Sequence, residues 1–115
     1  MGRAGEEAAR SYLQRKGYRV AEVNFRSPFG EIDIVAFQGS TPVFVEVRTR
    51  TGSSFGTPAE SITAVKMKRL KKTAILYMKL RYGQEVSCRF DLIAVQLKRE
   101  NMGLISLRHY REIGG

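Results

Sequence analysis

The sequence is short of cysteine, histidine and acid. Cys88 is its only cysteine, which rules out an intramolecular disulfide and any zinc site of four thiolates. A reducing cytoplasm is therefore the expected compartment. No apolar run approaches the ~18 residues of a membrane span. The opening MGRAGEEAAR is charged throughout and does not resemble a secretory signal. Internal repeats, low-complexity tracts and linker-like stretches are missing too, so residues 1–115 read as one domain. Only 11 Asp and Glu stand against 20 Lys and Arg, giving a formal charge of +9 and a pI near 10.1. That balance points to a polyanionic partner, nucleic acid first and an anionic membrane surface a distant second.

What is present is enough for a core, since 43% of the residues are hydrophobic. Three of the scarce acids fall in one stretch, GEIDIVAFQGSTPVFVEVRTR from Gly30 to Arg50. Strand alternation over Glu31–Phe37 sends Glu31, Asp33 and Val35 to one face and Ile32, Ile34 and Ala36 to the other. Over Val43–Arg50 it separates Val43, Val45 and Val47 from Phe44, Glu46 and Arg48. Gln38-Gly39-Ser40-Thr41 joins the two runs as a turn, so they form a hairpin with Asp33 and Glu46 on neighbouring strands. Two carboxylates about 5 Å apart repel by roughly 3 kcal/mol at an effective dielectric near 20. A proton, a cationic side chain or a metal ion must compensate, and for oxygen ligands the usual ion is Mg²⁺ or Mn²⁺.

Before this stretch, Gly2–Lys16 reads as a helix with an Ala8, Ala9, Tyr12, Leu13 stripe and Gly17 as its stop. Glu6 and Glu7 suit the positive end of the helix dipole, and Glu6 lies on the side that looks toward the sheet. Tyr18–Arg26 is a first strand, with Tyr18, Val20 and Glu22 on one side and Ala21, Val23 and Phe25 on the other. It forms an antiparallel meander with the next two strands. The loop TGSSFGTPAE follows, then a helix from Pro58 to about Arg81 with Thr57 as N-cap. Its buried stripe is Ile62, Val65, Leu70, Ala74 and Tyr77. Lys66, Lys68, Arg69, Lys71 and Lys72 give it a basic first half suited to phosphate contacts. Gly83 ends it. Val86–Leu97 is a strand covered on both faces, with Cys88 as a small core residue and Asp91 as a turn or edge residue or a fourth acid of the site. Leu104–Tyr110 adds a short strand, and His109, between Arg108 and Arg111, reads as a surface residue.

Gly2-Arg3-x-Gly5-Glu6, Gly17-Tyr18, Asn24-Phe25-Arg26, Gly30-Glu31-Ile32-Asp33, Val43-Phe44-Val45-Glu46-Val47-Arg48, Phe55-Gly56, Lys66 and Arg89-Phe90-Asp91 resemble, in order and spacing, the YraN-like family of uncharacterised bacterial proteins. That family is similar to Holliday junction resolvases and to the PD-(D/E)xK restriction-endonuclease-like enzymes. The resemblance implies an α/β fold with an αβββαβ core, its mixed central sheet flanked by helices. It also implies endonuclease chemistry on branched or duplex DNA with Mg²⁺ or Mn²⁺. It carries over Asp33 and Glu46 as the motif acids and Glu6 as the acid of the first helix, and makes Asp33, Glu46 and the Val47 carbonyl the metal ligands. Arg48, Arg50, Lys66, Lys68, Arg69 and Lys72 become DNA contacts. Junction-cutting enzymes act as twofold dimers, so a homodimer is the expectation by analogy.

One departure stands out. The family pattern has Glu-Val-Lys where this chain has Glu46-Val47-Arg48. A lysine can shed its proton in a dry site, whereas arginine stays charged, fit to orient a phosphate but not to act as a base. The rival class is a non-catalytic double-stranded nucleic-acid-binding module, whose α-β-β-β-α order also carries a lysine-rich second helix. Such a module has no use for clustered Glu31, Asp33 and Glu46, nor for a strand after its last helix. A protein-interaction domain, the third class, predicts no salt-sensitive DNA affinity.

Overall fold

A computed structural model of the chain describes residues 3–52 and 62–114. Its elements are α1 (Arg3–Arg15), β1 (Arg19–Ser27), β2 (Gly30–Gln38), β3 (Thr41–Thr51), α2 (Ala64–Tyr82), β4 (Arg89–Leu97) and β5 (Leu104–Tyr110). The five strands form one sheet in sequence order. Every neighbouring pair is antiparallel except β3 and β4, which run parallel with α2 as the crossover between them. The result is a mixed α/β fold compatible with a restriction-endonuclease-like core. No helix among the described residues is long and apolar enough to cross a membrane.

The two helices cover opposite faces. Ala9 and Leu13 of α1 pack on Ile34, Ala36, Val43, Val45, Ile93 and Val95. On the other face Met67, Leu70, Ala74, Tyr77 and Met78 of α2 pack on Phe25, Ile32, Val35 and Phe44. With cover on both sides, Asp91–Val95 of β4 is buried without a break.

Alternation holds along β3, where Val43 and Val45 join the α1 layer and Phe44 the α2 layer. It fails in β2 and β1. Ile32 lies in the α2 layer beside Val35, not with Ile34 and Ala36. Ile32 faces Phe25 across the ladder, and between those pairs Asn24 adopts φ 54, a left-handed conformation that asparagine tolerates. Both side chains next to this kink swing into the α2 layer. A bulge between Val20 and Glu22 likewise carries Glu22 across, where its carboxylate accepts from Arg81 of α2 at 3.0 Å.

Helix α2 begins later than Pro58. Ile62 and Thr63 are not helical, and Thr63 is the N-cap, its hydroxyl accepting the Lys66 N–H at 3.1 Å. Thr57 and Pro58 lie outside the described residues, as do Phe55 and Gly56. The buried face is accordingly Met67, Leu70, Thr73, Ala74, Tyr77 and Met78, while Val65 is 59% exposed. Gly83 closes the helix at φ 75, its N–H reaching the Lys79 carbonyl.

One contact sets where α1 can lie. A Cβ added at Gly5 would stand 1.9 Å from Thr49 Oγ1, 3.0 Å from Thr49 Cβ and 3.1 Å from Thr49 Cγ2. No rotation of the branched threonine clears all three, so the helix start must retreat from β3 if residue 5 carries a side chain. Gly5→Ala is expected to cost about 1–3 kcal/mol, read as a lower urea midpoint, and Thr49→Ala added to it should restore part of the loss.

Candidate active site

Strands β2 and β3 pair from Gln38↔Thr41 to Ile34↔Val45 and then part. The gap is bridged by a side chain: Asp33 Oδ2 accepts the Val47 N–H at 2.7 Å. Above it opens a cavity of about 460 Å³ whose walls come from α1 (Glu6), β2 (Glu31, Asp33), β3 (Glu46–Thr49) and α2 (Lys66, Arg69, Leu70). Gly5, seated on Thr49, delivers Glu6 to this cleft, whereas Glu7 is exposed. The four acids of the sequence reading, Glu6, Glu31, Asp33 and Glu46, thus share one cavity although they arise from three elements.

Each acid has a different environment. Asp33 is 8% exposed. Burial pushes its pKa up to about 7; the Val47 N–H works against that rise, and the charges of Glu46, Glu6 and Glu31 add to it. Glu46 has cations on two sides, Lys66 Nζ at 3.5 Å and Arg48 Nε at 3.7 Å. Both distances exceed a good hydrogen bond, so the attraction is electrostatic rather than directional. Glu31 sits at the rim, half exposed and 3.5 Å from Arg26.

The expected basic surface divides in two. Lys66, Arg69 and Arg48 line the cavity, while Lys68 and Lys72 are exposed outside it. A helix turns about 100° per residue, so Lys68 faces away from Lys66, whereas Lys72 lies about 60° round from Arg69 and nearly one turn further along the axis. Arg50 continues β3 past the cavity, half-buried. Its Nε is buried with no hydrogen-bond partner among the described residues.

Asp91 belongs elsewhere. In β4 it stands beside Val45, on the α1 side of the sheet, and it is fully buried. Arg89 grips it with two bonds of 2.9 Å, His109 Nε2 lies at 2.7 Å and the Glu112 N–H donates at 3.1 Å. Burial works against its charge, yet the bonds from His109, Arg89 and Glu112 outweigh that and hold its pKa below the usual carboxylate value. It is neither an edge residue nor a fourth acid of the cleft. The His109 side chain is only 7% exposed, a correction to its expected surface position. The i, i+2 spacing of Arg89 and Asp91 puts them on one strand face, the one sequence signal of this pair. Cys88 is half-buried against the α2 layer.

Comparison with known proteins adds the lineage. Residues 5–95 match the sequence model of "Uncharacterised protein family UPF0102". The chain belongs to that family. The UPF0102 protein of Moorella thermoacetica is 50% identical over 99 residues, covering 86% of this chain and 82% of its own. The UPF0102 protein STH1475 of Symbiobacterium thermophilum is 45% identical over 96 residues, 84% of this chain and 81% of its own. These matches agree with the YraN-like resemblance read from the motifs. The UPF0102 match spans every acid of the cleft and Lys66, Arg69 and Arg48.

Cation-binding capacity in the cleft is limited. Among the described residues no group of three Asp, Glu, His or Cys side chains gathers tightly enough to hold a metal ion alone. The oxygen donors that line the cavity include the Asp33, Glu46, Glu6 and Glu31 carboxylates and the main chain of Val47. This set suits Mg²⁺ or Mn²⁺, which commonly take one or two carboxylates and keep several waters. Asp33, whose charged form is disfavoured by burial and by three other acids, is a group that a cation would relieve.

Proposed function

We propose that this UPF0102 protein is a divalent-metal-dependent endonuclease of the Holliday-junction-resolvase-like kind, acting on branched or duplex DNA. The observation that carries this reading is the meeting of Asp33 and Glu46 with Lys66, Arg69 and Arg48 in one cleft where β2 and β3 separate. Acids placed to hold a hard cation, with cations placed to hold a phosphodiester, are what phosphoryl hydrolysis requires. The +9 charge supplies the long-range attraction to a polyanion.

Asp33, Glu46 and the Val47 carbonyl would hold Mg²⁺ or Mn²⁺, which when bound lowers the pKa of its water and neutralises phosphate oxygens. Arg48 and Lys66, tethered electrostatically to Glu46, are positioned to orient the phosphate and to offset the extra charge that develops on it. Arg69 holds the flanking backbone. Glu6 approaches from α1 as an acceptor for water in the cleft. None of these groups is arranged to read base edges, so shape rather than sequence selects the substrate. A guanidinium is not a base where a lysine amine can be one, which makes binding without cutting the second reading.

Calorimetric titration with Mn²⁺ is expected to give saturable heat for the wild type and none for Asp33→Ala/Glu46→Ala; equal heats in both proteins would remove the metal site. On branched and linear duplexes, Arg48→Lys is expected to raise the Mn²⁺-supported cleavage rate about tenfold, a barrier change near 1.4 kcal/mol. DNA binding without cleavage by either protein would favour the binding-only reading.

A further inference from the structure

The Asp91 network has a second, outward side that the nuclease reading does not use. Tyr12, Lys16, Tyr18, His109 and Arg111 line a cavity of about 270 Å³ on the α1 side of the sheet. Tyr12 follows Glu6 by six positions, about 9 Å along the α1 axis at 1.5 Å per residue. The aromatic walls are fixed by edge contacts of the His109 ring with Tyr12 at 5.4 Å and Tyr18 at 5.9 Å.

The hydrogen-bond bookkeeping of this cavity leaves donors over. Tyr18 is 4% exposed, and its hydroxyl oxygen accepts from Arg89 Nη2 at 2.7 Å and from Arg111 Nη2 at 3.0 Å. Both lone pairs are then taken, so its own O–H proton must be donated. Among the described residues that proton has no acceptor. Asp91 takes the His109 Nε2–H, which in the neutral ring leaves Nδ1 to accept the Tyr12 O–H at 2.9 Å. Lys16 and Arg111 add two positive charges, and neither forms an ion pair among the described residues. The carboxylate beneath, Asp91, is already matched by Arg89 and so repels an incoming anion little.

We infer that this cavity is an anion site that takes a phosphoryl group. Lys16 and Tyr18 in the turn after α1 and Arg111 just past β5 bring donors to the space from two chain segments, several donors being what a tetrahedral dianion requires, whereas a planar carboxylate would use fewer of them. The phosphoryl group is either free phosphate or the phosphorylated end of a nucleic-acid strand. The site lies outside the acidic cleft and does not depend on the hydrolase reading.

The test is a backbone and histidine ring NMR titration at fixed ionic strength. Its three probes are inorganic phosphate, a 5′-phosphorylated single-stranded oligonucleotide and the same strand with a 5′-hydroxyl. Saturable shifts confined to Tyr12, Lys16, Tyr18, His109 and Arg111 are expected, weakened at least tenfold in Lys16→Ser/Arg111→Ser. Lys16→Ser alone, at an exposed position beyond α1, keeps the test readable if the Arg111 change weakens the fold. Saturation by inorganic phosphate identifies the free ion as ligand; saturation only by the 5′-phosphorylated strand identifies the strand end. Shifts no larger than those produced by chloride at equal ionic strength, or an unchanged response in the variants, would overturn the site.

Discussion

Asp33→Asn is expected to make the metal-free protein more stable at pH 8 and to abolish its response to Mn²⁺. The sign follows from proton linkage. Asp33 has a pKa of about 7 in the fold against 3.8 as its ordinary value, so between those values the native state holds a proton that the unfolded chain has lost. Stability is therefore lost as pH rises from about 4 to about 7, and the full penalty remains above that window. At about 1.4 kcal/mol per tenfold in proton affinity, its ceiling is about 4 kcal/mol, and relaxation of the cleft brings the expected gain from asparagine to about 1–2 kcal/mol. That is a rise of roughly 4–8 °C in the melting temperature at pH 8 for a domain of this size. It should vanish below pH 4, where both states of the wild type are protonated. Asparagine keeps an oxygen for the Val47 N–H, so the bridge across the gap survives. Mn²⁺ at a hundred times its dissociation constant should stabilise the wild type by about 2.7 kcal/mol and the variant not at all. Thermal melts of both proteins at pH 4 and 8, with and without Mn²⁺, check all these outcomes. A variant no more stable than wild type at pH 8 would contradict the burial-driven rise in the Asp33 pKa.

Asp91→Ala is expected to act in the opposite direction and more strongly. Removing a fully buried carboxylate leaves the guanidinium of Arg89 without its bidentate partner and His109 without an acceptor. Breaking a buried pair in this way costs about 3–5 kcal/mol, enough to leave a domain of ordinary stability partly unfolded. Because the folded pKa of Asp91 is depressed, its contribution is fully present above the unfolded value near 3.8 and is lost as pH falls through the folded one. Asp91→Asn should therefore show a shallower loss of stability on acidification than the wild type. Urea denaturation at pH 7 and pH 3 measures both effects. A loss below about 1 kcal/mol at pH 7 would mean that the network adds no more than an exposed ion pair.

These two aspartates mark where the sequence was readable. Asp33 and Glu46 stood out because each interrupts an apolar strand, and the turn between β2 and β3 sufficed to put them on neighbouring strands, although the alternation expected within β2 failed. Glu6 needed only its helix face. Hidden from such reading were arrangements made by distant segments: Tyr18 comes from the turn after α1, Arg89 and Asp91 from β4 and His109 from β5, and no periodicity links the three segments. The kink at Asn24 was also invisible, since an asparagine in a strand announces neither a left-handed φ nor the transfer of Ile32 and Phe25 to the other layer. The start of α2 was set too early because the Thr57-Pro58 pair is a strong N-terminal signal in sequence, and Thr63, the N-cap of α2, was not recognised as one.

The parallel partnership of β3 and β4 has a consequence for how the cleft comes into being. Val43 meets Arg89 and Glu46 meets Leu92, partners that the chain reaches only after all of α2 has been laid down. Closing so long a loop is slow compared with forming the hairpins of the antiparallel meander. The β1–β3 meander can therefore assemble early, with Asp33 and Glu46 already on adjacent strands but with no α2 to bring Lys66 and Arg69 over them. Arg48, on β3 itself, accompanies Glu46 from the start, and the charges of α2, Lys66 and Arg69, are the part of the pocket whose arrival waits on the long loop.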